Sequence, residues 1–424
     1  MLTDNKISIY DFVHAISKTV DLVSPALNSH HCKVTYLAYK IAQEIGLPAE
    51  ELQDIVLASM LHDIGMFSIE ERLEMLIDRE KHFDVDLHAL IGYKLLKDFE
   101  PLANAATLIK NHQTNYNSST RGLPLGSHII HVADRIAILL DDSHDIFTQT
   151  PRVIDNILHK KHLFHPEAFA AFLRLSEFEY IWLEVFSSSL GAAMANKVKI
   201  SKEITEMYAL RSFAKVFAQI IDFRSRFTAT HSSGVAAVAY ELAAISGFSE
   251  KECRHLEIAG FLHDLGKLAV PNAILEKNGA LNSEEINHVR KHTYYTYSIL
   301  SSISGLEHIA EWAAYHHEKL DGNGYPFHIN HESFSKMARI MAVADIVTAL
   351  TEDRPYRIGV SEEKAADILG SMVEKGAIDK AIVGLAVQNF RRINDARIKA
   401  QNEALIEYEA FNDYSIPEER EIVA

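Results

Sequence analysis

Cysteine is nearly absent. Cys32 and Cys253 are the only two in 424 residues. Their wide separation matches neither a disulfide framework nor a zinc-finger spacing, which fits a reducing cytoplasm, and both read as core residues. Proline is also sparse, at ten residues mostly in loop positions. With no clear period-two alternation of apolar residues, the chain leaves little room for a sheet. Positive charge is in deficit, 42 basic against 58 acidic residues, for a formal net charge of −16. That balance excludes the basic footprint of generic nucleic-acid binding, so no DNA partner is expected. Long apolar runs are missing as well. The longest apolar neighbourhood, Phe178 to Ala195, is broken by Glu184 and a serine run, and no basic N-terminal region precedes an apolar segment. Neither a signal peptide nor a membrane span is expected.

What is present is helix. The length suggests two or three domains, and 48% hydrophobic content is ordinary for a globular protein able to bury substantial cores. Val34, Leu37, Ala38, Ile41, Ala42 and Ile45 recur at steps of three and four, as do Val235, Val238, Ala239, Leu242 and Ala243. Gly46 and Gly247 end those runs. Ser249 with Glu252 reads as a capping box opening the next helix, and Pro48 suits a helix start. The fold class is all-α.

The stretch most charged with chemistry is Tyr315-His316-His317-Glu318-Lys319-Leu320-Asp321-Gly322-Asn323-Gly324-Tyr325-Pro326. Adjacent histidines cannot share one helical face, so a pair aimed at one centre implies a helix end. Gly322 and Gly324 permit positive φ and close approach of a ligand, while Pro326 fixes the exit of the loop. Further metal-type residues stand around it: His231, the pair His263-Asp264 followed by Gly266-Lys267, His292, and Asp345. Imidazole nitrogen with carboxylate oxygen suits iron, manganese, zinc or nickel better than calcium or magnesium. Only a carboxylate can bridge two ions, and Asp264 beside His263 is the natural bridge.

In this order these residues resemble the HD-GYP phosphodiesterases, a branch of the HD metal-dependent phosphohydrolases. The resemblance implies hydrolysis of a cyclic dinucleotide, cyclic di-GMP or 3',3'-cyclic GMP-AMP, to its linear form. It implies two divalent transition-metal ions, iron or manganese favoured, with nickel or zinc as alternatives. One ion would take His231, His263, Asp264 and Asp345, the other Asp264, His292, His316 and His317, with water attacking phosphorus in line. Asp264 and Lys267 are the expected catalytic residues, the lysine reaching a phosphate oxygen if the helix continues one turn past His263. Gly324, Tyr325, Arg354 and Arg357 are the other expected substrate contacts. Tyr325 either stacks on a base or fills the turn, and the arginines either meet phosphate or make internal carboxylate pairs. Glu318 reads as a group orienting an imidazole rather than a ligand. Members holding three ions carry a glutamate four residues before the first histidine. Phe227 stands there instead, so two ions are expected, not three. Thr348 replaces an aspartate common in relatives.

The chain is also duplicated. His30, Val34, Gly46, His62 and Asp63 precede His231, Val235, Gly247, His263 and Asp264 by 201 residues. The offset grows to 204 for His88 and His112, matching His292 and His316, and to 211 for Asp134, matching Asp345. Offsets change between helices, where loops tolerate insertion. The copies are unequal: Met66 stands where Lys267 stands, Gln113 where His317 stands, and the turn after Gln113 lacks the signature. Residues 1–200 therefore read as a degenerate HD domain, regulatory or structural, with a vestigial metal site at His30, His62, Asp63, His88, His112 and Asp134. Residues 201–424 read as the catalytic domain. A linker is placed at Ser187 to Lys202 and can itself be helical. Ile204 to Arg226 has helical spacing, and Gln388 to Phe411, rich in Arg, Lys, Glu and Ala, resembles an exposed helix; each suits either core packing or pairing of two subunits as a homodimer. Two other functional readings stand beside the hydrolase: a noncatalytic sensor that binds the cyclic dinucleotide, and a general HD nucleotidase, disfavoured by the Gly-Tyr-Pro turn.

Overall fold

A computed structural model describes residues 6–21, 29–66, 85–187, 190–191, 194, 198, 202–223, 229–277, 279–353 and 358–412. Among these the chain is helical almost throughout. The single sheet has two short antiparallel strands, β1 (Ile7–Ser8) and β2 (Glu203–Ile204), with Ile7 opposite Ile204. The all-α class is therefore correct.

The first copy runs through α1 (Ile9–Asp21), α2 (His30–Ile45), α3 (Ala49–Leu61), α4 (Val85–Leu96), α5 (Ala103–Lys110) and α6 (Leu125–Leu139). It continues in α7 (Ile146–His159), α8 (Pro166–Ser176) and α9 (Glu179–Val185). After α10 (Met207–Asp222), the second copy begins with α11 (His231–Ile245), α12 (Glu250–Leu262), α13 (Asn272–Leu275), α14 (Ser283–Ser301) and α15 (Glu307–Ala314). It ends with α16 (Lys336–Thr351), α17 (Glu362–Glu374), α18 (Lys380–Gln388) and α19 (Phe390–Asn412).

The helix boundaries follow local chemistry. Gly46 and Gly247 both adopt φ of +85°, a conformation in which glycine alone is unstrained, and terminate α2 and α11 as their positions suggested. Ser249 and Glu252 form the reciprocal capping box at α12. The periodic residues of α2, Val34, Leu37, Ala38, Ile41 and Ala42, are all buried, packed against α3, α6 and α8. Burial of each large aliphatic side chain contributes roughly 1.5–3 kcal/mol. In the second copy α11 plays the same part, packed against α12, α16 and α19.

The chain divides into two compact units: Met1–Val216 with Asp264–Ala314, and Phe217–His263 with Tyr315–Ala424. In the first unit, α1 packs on α14 and on the short 3-10 helix Leu265–Ala269, so the N-terminal segment holds part of the second copy. The described apolar residues of the expected linker, Leu190, Met194 and Val198, are buried. Phe213 of α10 is packed edge-on against Phe12, with ring centroids 4.6 Å apart. In the second unit, α19 turns Ile393, Arg397, Gln401, Ala404 and Phe411 inward along one face. One face of that helix is thus packed in the core, while Ile398, Leu405 and Ile406 on the same helix are exposed. Cys253 is buried as expected, but Cys32 is only half-buried. Burial raises both thiols, Cys32 to about 12, which leaves them unreactive near neutral pH.

Candidate metal centres

The first copy gathers its six metal-type residues into one buried cluster within the first unit. His30 opens α2, His62 caps α3, His88 lies in α4, His112 follows α5 and Asp134 lies in α6. Asp63 sits at the middle. Its Oδ2 lies 3.2 Å from His62 Nε2 and 3.9 Å from His30 Nε2, and its Oδ1 lies 3.6 Å from His88 Nε2 and 3.9 Å from His112 Nε2. Asp134 Oδ1 faces His30 at 3.3 Å and His62 at 3.7 Å. Two donor groups result, His30, His62 and Asp134 on one side and Asp63, His88 and His112 on the other, each with ligand atoms within 4.8 Å of one another. Asp63 thus turns one oxygen toward each group.

The tautomers suit metal binding. His62 Nδ1 donates to the Ser59 carbonyl at 2.8 Å and His112 Nδ1 to the Ile109 carbonyl at 2.7 Å. A carbonyl can only accept, so each ring keeps its proton on Nδ1 and turns Nε2 to the cluster. Gln113 departs from this pattern. Its amide nitrogen donates to His112 Nε2 and to Asp134 Oδ2, both at 3.1 Å, so it occupies a donor's position between two potential ligands. Burial pushes His62 down, but Asp63 and Asp134 outweigh it and raise the ring to about 10. Burial and the neighbouring His88 and His62 hold His112 well below 6.5.

The second copy repeats these distances. In the second unit, His231 Nε2 lies 3.3 Å and His263 Nε2 4.0 Å from Asp345 Oδ1, matching His30 and His62 against Asp134. His317 Nδ1 lies 3.9 Å from Asp345 Oδ2, on the carboxylate oxygen that Gln113 holds in the first copy's Asp134. In the first unit, His292 Nε2 lies 3.4 Å from Asp264 Oδ1, matching His88 on Asp63. His263 and His292 donate Nδ1 to the carbonyls of Gly260 and Val289, three residues back. Burial alone would raise Asp345, yet the hydrogen bond from His231 and the nearby His316 and His317 hold it far below the usual carboxylate range.

The histidine pair does lie at a helix end, in the 3-10 turn Tyr315–His317 that follows α15. The turn packs His316 edge-on to His263, centroids 4.9 Å apart, and sets His317 beside it at 4.1 Å. His316 is buried, whereas the His317 side chain is 34% exposed and Tyr325 leans on its ring at 5.0 Å. Gly322 takes φ of +74°, and a Cβ on Gly324 would lie 2.3 Å from the Lys319 nitrogen, so both glycines are dictated by the turn.

Two expectations need correction. The helix bearing His263 ends there, and Lys267 lies in a 3-10 helix, where its ammonium meets Asp264 Oδ2 at 2.5 Å. The reach along a continued α-helix was therefore the wrong geometry. Glu318 does not orient an imidazole: its carboxylate accepts from the backbone of Phe327 and Ile329, pinning the loop. The Thr348 hydroxyl bonds the Ala344 carbonyl of its own helix. Phe227, Arg354 and Arg357 lie outside the described residues.

Two features escaped the sequence. A Cβ on Gly65 would fall 2.1 Å from the His88 carbonyl oxygen, and one on Gly266 1.9 Å from that of His292. Each glycine lets the His-Asp turn approach the middle histidine's backbone, and the shared offset of 201 was the available signal. Glu352 is the other. It is buried and its Oε2 lies 3.1 Å from His231 Nδ1. Nothing in its local sequence marks it.

With this geometry in place, the class of protein is defined. Family profiles described as "HD domain" match residues 28–139 and 215–382, one on each copy. The chain belongs to the HD-domain family and carries two such domains in tandem. Among its relatives, the 3'3'-cGAMP-specific phosphodiesterase 1 of Vibrio cholerae is 28% identical over 89% of this chain and 90% of its own length. The 3'3'-cGAMP-specific phosphodiesterase 3 of the same species is 41% identical over 38% of this chain and 35% of its own. A cyclic di-GMP phosphodiesterase of Pseudomonas aeruginosa is 38% identical over 35% of each chain. In fold, the crystal structure of a cyclic GMP-AMP specific phosphodiesterase of Vibrio cholerae superposes with a TM-score of 0.62, at 21% identity, over 94% of this chain and 98% of that one.

Proposed function

We propose that the chain is a metal-dependent phosphodiesterase of the HD-GYP branch that opens a cyclic dinucleotide to its linear form, acting in the cytoplasm in second-messenger signalling. The observation that carries this reading is the complete donor set of the second copy: His231, His263, His316, His317 and Asp345, with Asp264 bonded directly to His263, and His292. Similarity along nearly the whole chain to a 3'3'-cGAMP-specific phosphodiesterase supports the substrate class. Cyclic GMP-AMP and cyclic di-GMP are both retained, since the relatives act on one or the other.

The donor chemistry fits two borderline divalent ions, iron or manganese first, because neutral imidazoles and carboxylates are combined without thiolate. Such ions, when bound, would supply Lewis acidity toward the phosphodiester and an acidified water. The protein's own contribution is placement. Histidine Nδ1 protons fixed on carbonyls present His263 and His292 through Nε2, and Asp264 offers one oxygen to His292 and the other to Lys267. Lys267 is held by that carboxylate and carries the positive charge a nonbridging phosphate oxygen would meet. Gly324 brings the turn close enough for Tyr325 to lie against His317, at the most exposed of the measured ligand positions, where a base or ribose would arrive.

Residues 1–200 are proposed as the degenerate HD domain, regulating or supporting residues 201–424. There, the group His30, His62, Asp63 and Asp134 is suited to one ion, while the Gln113 amide fills the place of a second histidine. Chromatography of full-length protein with manganese and each cyclic dinucleotide tests the reading. Linear product is expected from at least one; a ligand that binds and is recovered intact would favour the sensor instead.

A further inference from the structure

Four of the inward-facing histidines, His62, His112, His263 and His292, take their tautomer from the carbonyl three residues back. His231 is the first residue of α11. Its Nδ1 is met instead by Glu352 Oε2 at 3.1 Å, on the opposite side of the ring from Asp345, which faces Nε2 at 3.3 Å. Glu352 is itself held. The same oxygen accepts from Gln401 Nε2 at 3.1 Å, and Arg397 donates to the Gln401 carbonyl oxygen. All four side chains are buried, and Arg397 and Gln401 come from α19 at the far end of the sequence.

The helix bearing His231 makes room for this chain of bonds. Gly234, one turn on, would place a Cβ 2.8 Å from Gln401 Nε2 and 3.0 Å from its Cδ, so any other residue would displace the amide. Glycine inside a helix is less favourable than alanine, so the sequence accepts a weaker helix at the point where Gln401 passes. Among the described residues the matching positions of the first copy are occupied differently. At the matching offset of 201, Lys33 stands where Gly234 does, and it pairs with Asp142. At the offset of 211, Asp141 stands where Glu352 does, and its carboxylate is taken by Ser143 and His144 near the surface. Among the described residues, the arrangement is found in the second copy and not in the first.

We propose that Glu352 is the positioning residue for His231, and that Gln401 and Arg397 of α19 hold it in place, so that the C-terminal helix governs how well the metal site binds. The inference rests on the proposed role of His231 as a ligand. A carboxylate on Nδ1 fixes the proton there, aims Nε2 at the ion and makes that nitrogen a stronger donor.

The test uses the full-length chain and manganese, with free ion followed by electron paramagnetic resonance and turnover followed as linear product. The manganese lost on His231→Ala defines the population of interest. Glu352→Ala should weaken that population by about 10–100-fold, the usual range for losing such a partner. Glu352→Gln, which keeps an acceptor oxygen without the charge, should fall between it and the parent. Gln401→Ala and Gly234→Ala should shift affinity in the same direction. Excess manganese should restore turnover in Glu352→Ala, because the residue acts through His231 alone. Parental affinity in Glu352→Ala, with metal lost in His231→Ala, would overturn the positioning role and leave the ligand assignment standing. Turnover that excess manganese fails to restore would likewise overturn it, as a purely structural defect. Parental affinity in His231→Ala would instead overturn the ligand reading beneath.

Discussion

His231 and His62 are each buried and still raised to about 10 by facing carboxylates. For His231, burial opposes the shift, while Glu352 and Asp345 drive it. A histidine raised in the fold stabilises the metal-free chain fully below its ordinary value of 6.5, and that contribution is lost as pH rises through about 10. Metal binding has the opposite sign, because a ligand nitrogen must give up its proton. Manganese affinity is therefore expected to rise from pH 7 to pH 9 with release of protons, which calorimetry in buffers of different ionisation enthalpy would register. A pH-independent affinity with no proton release would contradict it. Gln113 supports a second prediction at this scale. Its amide holds His112 and Asp134 where an imidazole stands in the second copy, so Gln113→His should add bound metal to the first copy. Metal analysis of a chain carrying His263→Ala and Asp264→Ala, with and without that change, would show the gain; equal metal content would argue against it.

At the scale of elements, the glycine after each His-Asp pair is the most demanding position. Gly65→Ala and Gly266→Ala each push a methyl to about 2 Å from a carbonyl oxygen, so the turn and the middle histidine must separate. Overpacking of this kind costs about 1–3 kcal/mol or more. Both variants should melt earlier than the parent, and Gly266→Ala should also lose turnover, whereas an unchanged melting temperature would deny the close approach. Much of this level was legible in sequence. The spacing of apolar residues, the terminal glycines 46 and 247 and the Ser249 box gave the helices their boundaries, because these are local effects. The duplication placed the donors, since histidine and aspartate recur at fixed offsets. What stayed hidden was non-local. The 3-10 turn at Leu265–Ala269 depends on how tightly Gly266 meets His292, and Glu352 reaches His231 across 121 residues. Glu318 was misread for the same reason: its partners, Phe327 and Ile329, lie beyond the motif that contains it.

For the whole molecule, the compact units do not part at residue 200. Residues 264–314, which carry Asp264, Lys267 and His292, belong with residues 1–216, and α1 packs directly on the 3-10 helix that holds Lys267. The N-terminal copy thus packs on part of the second copy. A fragment of residues 201–424 would expose the faces of α14 and of that turn which α1 covers. It should be markedly less stable than the full chain and weakly active, by thermal melting and product formation. A fragment as stable and as active as the parent would remove the supporting role. The central claim is that the second copy performs the hydrolysis and the first does not. Comparing linear product from manganese-loaded Asp63→Asn and Asp264→Asn chains, each shown to be folded, tests it most directly. The account predicts that Asp264→Asn abolishes turnover and Asp63→Asn retains most of it. Full turnover in Asp264→Asn, or its loss in Asp63→Asn alone, would contradict it.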